Sequence, residues 1–121
     1  MANEGSEQVE GRRWPGKTAP GLAGVYGRLR VEVAGKPVAT LVVEGQYVAL
    51  IPDTSGPANA TLLCADEEVF RKLLRGQLNP FIASMRRWAR MSGDRGFGVR
   101  VIFGLEAGSP FAEEAEKEHL S

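Results

Sequence analysis

The sequence predicts an α/β (α+β) domain: a mostly antiparallel sheet of about five strands, covered on one face by helices. Three observations carry this. Tyr26 to Val33 alternates cleanly, with Leu29, Val31 and Val33 on one side and Arg28, Arg30 and Glu32 on the other, the period of a half-buried strand. The apolar runs that follow are separated by short Gly- and Pro-containing turns, and such connections favour antiparallel neighbours. Two consecutive segments then switch to helical spacing, each with its own start and stop signals.

After Tyr26–Val33, Ala34-Gly35-Lys36-Pro37 is a turn. Val38–Glu44 has apolar residues on both faces and reads as a central strand. Gly45-Gln46 connects it tightly to Tyr47–Ile51, Pro52 ends the pairing, and Asp53-Thr54-Ser55-Gly56-Pro57 is a loop. Asn59–Cys64 is the fourth strand. Asp66 caps a helix whose apolar stripe is Phe70, Leu73 and Leu74, with Glu67–Arg71 and Glu68–Lys72 as four-apart pairs on its wet side. Gly76 ends that helix, because glycine takes the left-handed conformation without strain. Asn79-Pro80 starts the next, which carries Phe81, Ile82, Met85 and Trp88 at helical spacing and on local pattern runs through Trp88-Ala89. Phe97 to Leu105 reads as a strand: Val99, Val101, Ile102 and Phe103 favour it, and Gly96, Gly98 and Gly104 disfavour a helix. Ser109-Pro110 opens a short helix to about Glu118.

The chain's 121 residues suffice for one domain. Residues 1–22 hold almost no aliphatic side chains and are expected to be disordered. The domain is expected over 23–105, followed by an acidic tail over 106–121. Formal net charge is zero but unevenly spread. Arg71, Lys72, Arg75, Arg86, Arg87, Arg90, Arg95 and Arg100 face a single acid, Asp94, in the middle of the chain. The tail carries Glu106, Glu113, Glu114, Glu116 and Glu118. A solvated face is the first reading of the arginines. Weak contact with an anionic membrane surface is the second. No nucleic acid is expected as a partner, since net charge is zero and no recognition motif appears.

Chemistry that would mark an enzyme is not visible. The one histidine, His119, lies in the polar tail, so neither a Ser-His-Asp nor a Cys-His site finds a base within the domain. Cys64 is the one cysteine, so no internal disulfide forms, and no zinc-ligand pattern exists. Gly93-Asp94-Arg95-Gly96-Phe97-Gly98 has the wrong order for a phosphate loop. Asp66, Glu67 and Glu68 read as partners of a helix dipole. No cofactor and no metal are expected. With no apolar leader and no run long enough to span a bilayer, a cytoplasmic location is the default expectation.

Residues 60–94 also resemble the sterol carrier protein-2 domain family. The residues that carry the likeness are Cys64-Ala65-Asp66, then Leu74-x-Gly76-Gln77-Leu78-Asn79-Pro80, Ala83, and Met91-Ser92-Gly93-Asp94, with a weaker extension back through Ala39–Glu44. The resemblance implies a fifth strand near Trp88–Ser92 and an apolar cavity between sheet and helices, and, against the reading from residue content, a helix over 97–105 that helps close the cavity. It implies non-catalytic binding of a sterol, fatty acyl chain or similar small apolar ligand. On this basis Phe81, Met85 and Met91 are expected to touch ligand, with Leu74, Leu78, Ile82 and Phe97 nearby; Met and Phe suit a pliable apolar pocket. The family usually has helical sequence before its first strand, where this chain has its polar segment. An uncovered apolar face would follow, and with it a homodimer. The alternative function is therefore an interaction or dimerisation module using the same face.

Overall fold

The computed structural model describes residues 17–111. The order is β1 (Lys17–Thr18), a 3-10 turn (Pro20–Leu22), β2 (Tyr26–Val33), β3 (Lys36–Glu44), β4 (Tyr47–Ile51), β5 (Ala60–Cys64), α1 (Glu67–Leu74), α2 (Pro80–Met85), β6 (Ala89–Gly93) and α3 (Arg95–Gly108). The strands form one sheet in the order β1-β4-β3-β2-β5-β6. All pairings are antiparallel except β2 with β5. The sheet is therefore mixed, and the expectation of antiparallel neighbours holds only for the β2-β3-β4 meander and the outer pairs.

The parallel pair has a visible cause. The segment after β4 lies across the sheet face opposite the helices, held in part by Arg30, which sequence alone assigned to a wet face. The Arg30 guanidinium donates to the carbonyls of Thr54, Ser55 and Gly56 (2.9, 3.0 and 2.9 Å). The Thr40 hydroxyl, fully buried, donates to the Asp53 carbonyl at 2.6 Å. At the far side Asn59 closes a two-way bond with Arg28, its amide donating to the Arg28 carbonyl while its Oδ1 accepts from the Arg28 amide. The chain is thus carried past β3 and β2 before β5 begins, alongside Leu29 and running the same way.

The opposite face is the apolar one. Leu29, Leu41, Val43 and Val48 are buried there, with Leu29 paired to Leu41 and Val43 to Val48. On α1 the buried pair is Val69 and Leu73, one residue round from the expected stripe, and Phe70 and Leu74 are half-buried beside it. Both helix ends were readable from sequence. Asp66 accepts from the Val69 amide at 2.9 Å, and Gly76 has φ 74°. The Gln77 amide donates to the Lys72 carbonyl, closing a Schellman turn.

Three expectations are corrected. Residues 97–105 are not a strand but the middle of α3. Phe97, Val101, Ile102 and Leu105 are buried at a four-residue rhythm. The glycines that argued against a helix act as contact points. A Cβ on Gly98 would collide with the Met91 side chain, and one on Gly104 with Leu22. Second, residues 17–22, assigned to a disordered tail, are structured. Lys17 pairs with Val48, and Ala19 and Leu22 are fully buried, because the 3-10 turn crosses α3 at Gly104. Residues 1–16 lie outside the described residues. Third, α2 stops at Met85 rather than running to Ala89, and β6 follows, as the family resemblance implied. The tail helix expected from Ser109 to Glu118 falls mostly outside the described residues; within them, residues 109–111 are not helical.

An apolar cleft between the helices and the edge of the sheet

Between β5, β6 and the three helices lies a cleft of about 270 Å³. Its floor is Leu62 on β5 with Ala89 and Met91 on β6; Leu62 and Met91 are cross-strand partners on the helix-covered face. Leu73 of α1 forms one wall, and Val99, Ile102 and Phe103 of α3 the other. Pro80, Phe81, Ala83 and Ser84 of α2 close the top.

The space exists because small residues sit where α2 and α3 approach the sheet. Ala83 is fully buried, Ala89 is nearly so, and Gly98 lets the Met91 side chain lie against α3. Local sequence fixes α2 over the opening. Asn79 Oδ1 accepts from the amides of Phe81 (2.8 Å) and Ile82 (3.2 Å). At the other end the Trp88 amide donates to the Ala83 carbonyl and the Arg87 amide to the Ser84 carbonyl. That is a second Schellman turn, with Arg87 at φ 60° where glycine is usual. The Ala65 amide donates to the Trp88 carbonyl at 2.8 Å and ties this turn to the end of β5.

Ser84 and Arg90 are the polar residues of the lining. The two groups with displaced pKa values lie elsewhere. Burial pushes the Cys64 thiol up to about 12, with the nearby Asp66 charge adding to the effect. Asp53 is held low by hydrogen bonds from the Ser55 amide and hydroxyl, and by Arg28 and Arg30. Among the described residues no cluster of three or more His, Cys, Asp or Glu could hold a metal. Also among the described residues, no helix is long and apolar enough to cross a membrane.

Of the residues expected to touch ligand, the structure brings Phe81 and Met91 together in the cleft. Leu74 and Leu78 pack half-buried against the core outside the lining. Phe97 is a core residue lying against Gly27, where a Cβ would come within 2.7 Å of its ring. Ile82 and Met85 are outside the lining and are 45% and 67% exposed. Leu62, Leu73, Val99, Ile102 and Phe103 were missed. The α3 residues were lost with the strand reading, although Val99–Phe103 and Phe97–Val101 are both four-apart pairs. A second apolar groove, of about 580 Å³, lies at the ends of β2, β3 and β4 beside Phe70, with Lys36 and Glu67 among its lining.

No family model matches the chain, and neither does any curated protein. Solved structures do. A ubiquinone synthesis protein, UbiJ-SCP2, is 25% identical, with a TM-score of 0.53 over 72% of this chain and 73% of that one. The inverting sec-alkylsulfatase Pisa1 from Pseudomonas sp. is 12% identical with a TM-score of 0.56; the match covers 78% of this chain but only 15% of the enzyme. The sterol carrier protein domain 2 of Helicoverpa armigera is 17% identical over 69% of this chain and 71% of its own, with a TM-score of 0.49. The chain has a sterol carrier protein-2-like fold.

Proposed function

We propose that the protein binds, without transforming it, a small apolar molecule or the apolar end of an amphiphile in the cleft between α1, α2, α3 and the β5–β6 edge. The observation that carries this reading is the lining: ten of its twelve residues are apolar or proline, drawn from five elements, around open space. Well-formed apolar pockets with few polar groups are the usual form of such sites. At about 270 Å³ the cleft lies near the lower limit of the roughly 300–1,000 Å³ common for small-molecule sites. The expected occupant is therefore one end of an acyl chain or a small ring system, with the remainder outside. The likeness to UbiJ-SCP2 supports the reading at the level of fold. Binding is preferred to catalysis because Ser84 and Arg90 offer no nucleophile with an adjacent base.

The test is uptake of a fluorescent fatty acid or sterol by the folded protein, alongside native mass spectrometry for co-purified lipid and subunit count. Val99→Asp places a carboxylate at the rim, where Val99 is 44% exposed. Facing an apolar lining, the charge should weaken uptake by at least about tenfold, equivalent to the roughly 1–3 kcal/mol of burying an unpaired polar group. If wild type takes up no apolar probe, the reading is wrong. A second reading, an interaction or dimerisation module, draws on the exposed Phe81, Ile82, Met85 and Trp88. A dimer that carries no lipid would favour it.

A further inference from the structure

We infer that the exposed face of α2 and the first half of α3 is a docking surface for anionic phospholipid bilayers, which sets the mouth of the cleft against the membrane. The inference rests on the proposed cleft for its purpose but not for its evidence. Phe81, Ile82 and Met85 are 63%, 45% and 67% exposed on six residues of helix. Val99 and Phe103 are exposed on α3, and both line the cleft together with Phe81. Phe81, Val99 and Phe103 therefore share the rim of the cleft, and Ile82 and Met85 are exposed on the same short helix as Phe81. A soluble protein seldom leaves so many large apolar groups together without a partner.

Charge decides which partner. Arg86 and Arg87 directly follow Met85, and the Arg86 guanidinium lies 5.4 Å from the Trp88 ring centre. Arg90 is part of the cleft lining, Arg95 stands one turn before Val99, and Arg100 shares a shallow groove with Phe103. All five arginines are exposed. Among the described residues none of them is in an ion pair; those pairs join Arg28 to Asp53, Arg71 to Glu67 and Lys72 to Glu68. The one acid in this stretch, Asp94, has a carboxylate oxygen accepting from the Phe97 amide at the start of α3. Exposed apolar side chains with these arginines beside them match an interface of acyl chains beneath anionic head groups. A polyanion such as nucleic acid would answer the charge and leave the apolar side chains uncovered.

The experiment is co-sedimentation of the full chain with vesicles of phosphatidylcholine alone, or with a minority of phosphatidylserine. It is run near physiological salt and at about 1 M, where screening shortens from about 8 to about 3 Å. Binding is expected to anionic vesicles, and to fall steeply with salt. Arg86→Gln with Arg87→Gln should weaken it by on the order of 10- to 30-fold. Ile82→Ser with Met85→Ser should weaken it by about tenfold or more through lost apolar insertion. Both pairs are at exposed positions, and unchanged thermal midpoints confirm folding. Four results each overturn the inference: no anionic-vesicle binding near physiological salt, binding indifferent to Ile82→Ser with Met85→Ser, tighter binding to DNA than to vesicles, or a dimer in solution that this serine pair dissociates. Uptake of the apolar probe in solution, measured on the arginine variant, should be unchanged. Docking lost with uptake retained sinks docking alone, whereas a wild type without uptake sinks the cleft reading.

Discussion

Two glycines of α3 should respond with opposite sign to the same substitution. Gly104 is buried where α3 crosses the 3-10 turn. A Cβ there would lie 2.9 Å from the Gly21 carbonyl oxygen and would overlap the Leu22 side chain, which is fully buried. Neither neighbour has room to yield. Overpacking of this kind costs about 1–3 kcal/mol. Alanine returns about 1 kcal/mol of helix propensity. With a backbone atom in contact the cost belongs in the upper half of its range, so Gly104→Ala should destabilise by about 1–2 kcal/mol. Gly96, in the first turn of the same helix, is exposed, and a Cβ there would meet only Asp94 Oδ1 at an ordinary 3.6 Å. Gly96→Ala should stabilise by about 0.5 kcal/mol, the gain being smaller at a helix end than inside it. For a domain of this size 1 kcal/mol shifts the thermal midpoint by roughly 4–8 °C. Circular dichroism melts and urea titrations of both variants should therefore separate by about 6–20 °C. If Gly104→Ala proves neutral or stabilising, the turn does not cross α3 there. If Gly96→Ala destabilises, the helix does not begin where it is placed.

Other consequences are as direct. Arg87→Gly should relieve about 1–2 kcal/mol of left-handed strain at φ 60°, less the roughly 0.5–1 kcal/mol of entropy that glycine costs. A net rise of about 0.5–1 kcal/mol in urea stability is expected; a loss would mean that the Arg87 side chain itself holds the turn. Cys64 is 4% exposed and its thiol is raised from 9.0 to about 12 by burial, with the Asp66 charge second. Native protein should resist iodoacetamide at pH 8 and label only on unfolding. The native state keeps this proton where the unfolded chain has lost it. The associated stability is therefore intact below about pH 9 and declines as pH rises from there towards about 12. Fast native labelling at pH 8 would contradict the buried placement.

Much of the fold was legible because its signals are local. The alternation of Tyr26–Val33 gave a strand with those bounds. Asp66 and Asn79 cap the two helices, and Gly76 terminates the first, through hydrogen bonds made within a few residues of each. The order of these motifs was enough to point to a sterol carrier protein-2-like fold. Within the cleft, Phe81 and Met91 were reachable the same way.

What the sequence could not decide depends on partners distant along the chain. Gly98 and Gly104 weaken a helix taken alone, and helix propensity counts that against them. Their value appears only once Met91 and Leu22 are brought against them. The missing Cβ atoms let α3 come close enough to bury Val101 and Leu105 completely, and with α3 misread, Val99, Ile102 and Phe103 could not be assigned to the cleft. Arg28 and Arg30 look solvated in a strand pattern. It takes the returning 53–56 segment to turn Arg30 into a clamp on three carbonyls and to make β5 parallel to β2. Leu22 in a polar, glycine-rich stretch gives no periodic signal, yet it is fully buried beneath α3. Local residue chemistry determined where elements begin and end. Close approach between distant segments decided which of them form one core and where that core leaves an opening.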